Sequence, residues 1–144
     1  MSSVIYSIPI AIVCIISTTG CGGPIGYNVD PSKAPRKLPL DAKEVHFATN
    51  PGIRNPNSYF EFSTSRSNFL EWAKQQPNVV QTKEIGSFIV YRYSKYPGEN
   101  DQSGSAVVDE GLLFDWYDPN DGDFGEHIAY DTQTGRAYFW SHQW

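Results

Sequence analysis

EHIAYDTQTGRAYFWS, residues 126–141, reads as two β-strands folded back on each other through Asp131–Gly135. Alternating apolar runs flank a short loop whose glycine can take φ > 0, which is what a hairpin with a bulged turn requires. Its strands sort into two sets of side chains. Ala129, Ala137 and Phe139 form a face with room for a helix, and Ile128, Tyr130, Tyr138 and Trp140 form a more aromatic one.

Upstream of this hairpin the chain alternates strand patterns with one helix. Glu44–Ala48 and Tyr59–Phe62 read as short strands, separated by the loop-forming run TNPGIRNPNS at 49–58. The period then changes: Phe69, Leu70, Trp72 and Ala73 fall on one face at helical spacing, with Ser65 or Asn68 as N-cap and Pro77 as stop. So short a helix is stable only when packed, so Phe69, Trp72 and Ala73 are expected against a sheet. Residues 86–94, GSFIVYRYS, place Ile89, Tyr91 and Tyr93 on one side and Phe88, Val90 and Arg92 on the other, the pattern of an inner strand. Residues 96–105 read as a mobile loop. Residues 106–117, AVVDEGLLFDWY, read as a strand or bulged pair broken at Gly111, with Leu112, Phe114 and Trp116 on one face. The fold class is therefore α+β: an antiparallel meander of about 4–6 strands covered by one main short helix.

At 144 residues, with 40% hydrophobic and 19% charged residues, the chain suits one globular domain. Its net charge of −5 is unevenly spread. Ten acidic residues and no Lys or Arg lie between Tyr96 and Gly135, a balance that repels phosphate backbones and argues against a nucleic-acid partner. The acidic rim from Glu99 to Glu126 suits solvated loops, or, in an inhibitor or immunity-type protein, a basic partner.

Residues 1–20 have the pattern of an export signal: a short polar start, the apolar run Val4–Ile16 interrupted by Pro9, then small residues leading to Cys21. Cys14 lies within that run, so Cys21 is the one cysteine left after cleavage and no internal disulfide forms. Thr18-Thr19-Gly20-Cys21 resembles the signal of bacterial lipoproteins, with Thr18 where that family usually has leucine. The resemblance covers the first 21 residues and implies cleavage before Cys21, a lipid on its sulfur, and attachment to the cell envelope. Gly22 in place of an aspartate after the cysteine implies the outer membrane where one exists. Residues 21–42, rich in Gly and Pro, are expected as a flexible tether, with Lys33, Arg36 and Lys37 able to touch anionic headgroups. Residues 43–144 are expected as the folded domain.

No catalytic motif stands out. There is no nucleophile elbow, phosphate loop or zinc spacing, and no cofactor is implied. Asp118, Asn120, Asp121, Asp123 and Glu126 fail as a calcium loop, because the fifth position counted from Asp118 is Gly122; a turn explains them, and no metal is expected. His127 and Asp131 share a strand face, but lie ~13 Å apart along it and cannot pair. A non-enzymatic binding module is therefore expected, working through Tyr130, Tyr138, Trp140 and Trp116 on a protein or glycan of the envelope. The alternative is a small enzyme whose site is assembled in space, for which a histidine within reach of a carboxylate would be the sign.

Overall fold

The computed structural model describes residues 23–50, 57–76, 80–93, 104–120 and 122–143. The export signal, Cys21, most of the expected 96–105 loop, Pro77 and Asp121 lie outside the described residues. Within them, the chain is mainly antiparallel β with one α-helix. The strands are β1 (Ile25–Val29), β2 (Lys43–Asn50), β3 (Asn57–Ser63), β4 (Val80–Ile85), β5 (Phe88–Tyr91), β6 (Ser105–Val108), β7 (Gly111–Tyr117), β8 (Phe124–Asp131) and β9 (Arg136–Gln143). Helix α1 (Arg66–Lys74) joins β3 to β4.

Seven strands form one sheet in the order β1-β2-β3-β9-β8-β7-β4, and β5 and β6 form a separate two-stranded ribbon. Every pair is antiparallel. It follows that β3 and β4 run the same way with three strands between them, so the chain must cross one face of the sheet to get from one to the other. Helix α1 is that crossing. Ser65 caps it, accepting from the Asn68 amide at 3.4 Å. The Asp41 carboxylate holds the same corner, accepting from the Thr64 hydroxyl and from the Ser65 amide at 2.9 Å. Burial opposes the charge of Asp41, but these hydrogen bonds, with one from Asn68, outweigh it and hold the carboxyl well below its ordinary range.

The register of the opening hairpin decides what faces the helix. Asp131 pairs with Arg136, Tyr130 with Ala137, Ala129 with Tyr138 and Ile128 with Phe139. The four-residue loop is closed by the Gly135 amide on the Asp131 carbonyl (2.9 Å), by the Asp131 carboxylate on the Gln133 and Thr134 amides (2.8 and 3.2 Å), and by a φ of 71° at Gly135. Residues directly opposite share a face, so an even-numbered residue of β8 stands beside an odd-numbered one of β9. That corrects the face assignment read from sequence: Tyr130 joins Ile128, Ala137 and Phe139 under the helix, while Tyr138 and Trp140 join Ala129 on the other side.

The helix side is the main core. Phe69 is fully buried, stacked on Tyr130 with ring centroids 4.8 Å apart and edge-on to Phe114 at 5.9 Å; Trp72 meets Phe62 edge-on at 5.2 Å. The segment before β2, expected as a tether, is part of this core. Residues 25–29 pair with β2 as β1, Val29 and Leu38 are buried, the Trp72 indole donates to the Lys37 carbonyl at 2.8 Å, and the Arg36 guanidinium lies 4.0 Å over the Phe139 ring. Composition missed this because a strap that lies over a sheet needs few contacts per residue and no periodicity.

The other face carries a second, smaller core. Val90 and Val108 of the ribbon are fully buried against Ala129, Tyr138 and Trp140, with Tyr59, Phe88, Ala106 and Leu113 at its margin. The run 86–94 is therefore not an inner strand. Its other side simply faces solvent, with Ile89 57% and Tyr91 56% exposed beside Val107 at 63%. Asp109 and Glu110 separate β6 from β7, which begins at Gly111, and the two halves of 106–117 lie in different sheets.

Because packing rather than propensity holds the helix, the two kinds of contact should differ sharply in unfolding experiments. Ser65→Ala should lower stability to urea by ~1 kcal/mol through the lost cap. Phe69→Ala should cost ~3–5 kcal/mol by leaving a cavity under the helix.

Candidate functional site

The ribbon covers the middle of the second face and leaves two polar groups of side chains at its flanks. One gathers where β1, β2, β3 and β9 meet. Tyr27, Asn28, Glu44, His46, Ser63, Arg92, Thr134 and Arg136 line an open pocket of about 480 Å³ there.

Glu61 lies beneath this region and anchors two of the residues that line it. In β3, Tyr59, Glu61 and Ser63 alternate with Phe60 and Phe62, and the phenylalanines take the helix side. Glu61 is thus directed under the ribbon, where it is only 2% exposed. Arg92, two residues beyond Val90 on the inward side of the ribbon, meets it with two parallel bonds of 2.9 Å, Nε to Oε1 and Nη2 to Oε2. Arg136 adds a second cation, with Nη2 3.6 Å from Glu61 Oε2, while its Nη1 donates to the Glu44 carbonyl (3.0 Å) and to Ser63 Oγ (3.2 Å). A forked guanidinium on a carboxylate is the arrangement in which a buried charge is best compensated.

Two β-bulges shape the pocket wall. The register slips between Gly26 and Val29 in β1–β2 and between Lys43 and His46 in β2–β3. Asn28 and Glu44, at these slips, are the non-glycine residues with positive φ among the described residues, both at 49°. Asn tolerates that conformation; Glu does so at a cost, and both face this pocket. The slip lets the Asn28 amide donate to His46 Nδ1 at 3.2 Å, which places the ring proton of neutral His46 on Nε2. The Tyr27 ring tilts over His46 at 4.3 Å. Burial, then the nearby Arg136 and Arg92, push the His46 pKa down to about 3, so the ring is neutral at physiological pH.

At the opposite flank, Asp115, His127 and Trp140 stand side by side on β7, β8 and β9. His127 Nδ1 meets Asp115 Oδ1 at 2.5 Å and its Nε2 meets His142 Nδ1 at 3.1 Å. The His127 ring is nearly parallel to the rings of Trp140 (4.8 Å, 14°) and His142 (5.0 Å, 14°), and Tyr117 stands edge-on to both histidines. A side chain at Gly125 would place its Cβ 2.7 Å from the His142 ring, so glycine there leaves room for the two imidazoles to meet. Burial, then His127, depress the His142 pKa. Such a chain can pass a proton from one end to the other. Both nitrogens of His127 are engaged, which leaves none for a metal, and among the described residues no three His, Cys, Asp or Glu side chains converge as metal ligands.

The aromatic residues singled out from sequence end in three places. Tyr130 is buried under the helix with its hydroxyl donating to the Thr64 carbonyl at 3.1 Å. Tyr138 and Trp140 are buried beneath the ribbon. Trp116 packs edge-on against Phe124 at 5.6 Å on the helix-side face. They do not form one surface. The turn residue Asp118 accepts from the Asn120 amide at 2.8 Å, the local bond expected of a turn. Sequence reasoning missed Glu61, Arg92 and Asp115. Arg92 carried a signal, since an arginine on the same side of a strand as Phe88 and Val90 requires a carboxylate to meet it. Asp115 carried none, because only the register of β7 on β8 puts it opposite His127.

No family model, curated protein or solved structure matches the chain.

The two depressed histidines fix the sign of the acid response. A histidine whose folded pKa lies below its ordinary 6.5 stabilises the fold fully above that value and loses the contribution as pH falls towards the folded pKa. Stability to urea should therefore fall from pH 7 to pH 4, and His46→Gln should flatten that decline. In the folded protein the His46 Cε1 proton, followed by NMR, should keep its neutral shift down to about pH 4; titration near 6.5 would contradict the assigned environment.

Proposed function

We propose that the chain is a binding module of the cell envelope, held at the membrane by a lipid on Cys21, in the outer membrane where the cell has one. It takes a small polar ligand, part of an envelope glycan or protein, in the pocket between β1, β2, β3 and β9. The reading of the anchor rests on the first 21 residues, whose apolar run and Gly20-Cys21 resemble a lipoprotein signal. The reading of the site rests on one observation: two β-bulges, both left-handed non-glycine residues among the described residues, a neutral half-buried histidine and two arginines all meet at one pocket. Strain of this kind is kept where it has a use, and the fold alone would be served by a regular β1–β2–β3 ladder. A volume of about 480 Å³ suits a molecule of monosaccharide or dipeptide size.

The Asp115–His127–His142 chain favours a second reading, a small envelope enzyme. Its carboxylate orients His127 as in a general-base pair, and His142 extends the pair towards the rim at Tyr117.

One titration separates the two. Soluble glycan and peptide fragments of envelope material, added to 15N-labelled protein, should shift the amides of Tyr27, His46, Ser63, Thr134 and Arg136 without being consumed. Shifts centred on His127 and His142, with breakdown of a fragment that Asp115→Asn abolishes, would favour the enzyme. Fragments that shift neither group would refute both readings.

A further inference from the structure

Two carboxylates bear on the pocket in very different ways: Glu44 lines it, and Glu61 lies beneath its arginines. Glu61 is buried and bound twice by Arg92, so it fixes that arginine in the wall. Glu44 has a side chain 68% exposed, with Oε2 3.7 Å from Arg136 Nη1 and accepting from the Ser63 hydroxyl at 2.9 Å. The backbone of Glu44 does the holding instead: its carbonyl accepts from Arg136 Nη1 at 3.0 Å, so the guanidinium keeps its place when the Glu44 side chain leaves. A carboxylate beside a positioned guanidinium, weakly engaged and open to water, occupies the place that a ligand anion would take.

The surroundings favour an anion over a neutral ligand. Two guanidinium groups face one buried carboxylate, so the walls carry a net positive charge once Glu44 swings aside. In a partly buried setting that charge acts with little screening. Ser63 and Thr134 add hydroxyls at the same side, and the Tyr27 ring over His46 offers an aromatic flank to a ring-shaped ligand.

We propose, resting on the reading of this pocket as the binding site, that it takes a small carboxylate such as a uronic acid, bound beside Arg136 in the position that Glu44 occupies without ligand. Glu44 is then an internal competitor. It keeps the arginine compensated in the empty pocket and sets a threshold that the ligand must exceed.

The test is a titration of the whole protein with glucuronate, and with glucose as the uncharged counterpart, read by amide shifts. Glucuronate should move the amides of Glu44, His46, Ser63 and Arg136, and glucose at the same concentration should not. Glu44→Gln keeps an acceptor for Ser63 and removes only the charge, so it should bind glucuronate about three- to fivefold tighter, the worth of an exposed ion pair. Arg136→Lys, which keeps the charge but not the fork, should bind more weakly than the native protein. Unchanged or weaker binding by Glu44→Gln, or equal binding of glucose, would overturn the carboxylate assignment while leaving the pocket as the site. No shift with glucuronate in native protein or in Glu44→Gln would also overturn it. Failure of the pocket itself would be recognised separately, by envelope fragments that leave the same amides unmoved.

Discussion

A carboxylate that is 2% exposed inside an aromatic sheet is tolerable only if cations reach it, and Glu61 imposes that condition on the whole second face. Arg92 reaches it from the ribbon and Arg136 from β9. The ribbon is only two strands of four residues, a size that is marginal alone in water. Val90 and Val108 supply its apolar contact, but apolar contact does not specify position along a face. The forked bond to Glu61 does, since its two hydrogen bonds accept one registration of the ribbon over the sheet. The same bond holds Arg92, which lines the pocket, so the architecture and the pocket share one fixed point.

The layers follow from that. On the helix side the chain solves an ordinary problem, with Phe69 and Trp72 burying aromatic faces against Phe62, Phe114 and Tyr130. On the other side it builds a thin core flanked by polar networks, with Glu61, Arg92, Arg136 and His46 at one flank and Asp115, His127 and His142 at the other. The two networks differ in kind. The first sets carboxylates and guanidinium groups, two bulges and strained backbone around an open pocket. The second joins one carboxylate and two imidazoles in a hydrogen-bonded row across β7, β8 and β9.

How far the sequence disclosed this can be judged residue by residue. The helix and its buried Phe69, Trp72 and Ala73 were legible, and its cap was narrowed to Ser65 or Asn68 with Ser65 the one observed, because a 3.6-residue period and a cap are local properties. So was the hairpin, through Asp131 and Gly135. Its facing was not, because placing Tyr130 opposite Ala137 depends on whether the loop has an even or odd number of residues, and DTQTGR admits either. The strand at Ile25–Val29 was hidden by Gly and Pro neighbours. The pocket was hidden more deeply, since its residues come from positions between 27 and 136 and are joined by strand order alone. Glu61 and Arg92 each place a charge on a face that the fold covers, and the two charges answer each other.

The most direct test of Glu61 as the fixed point is a double-mutant cycle of Glu61→Met, Arg92→Met and the pair, measured by urea unfolding. Each single substitution should cost ~3–5 kcal/mol by stranding the partner charge, and the double should cost far less than their sum, because two apolar side chains fit beside Val90 and Tyr138. Single effects of ~1 kcal/mol or less that simply add would mean that the ribbon sits where it does for other reasons, and would contradict the account.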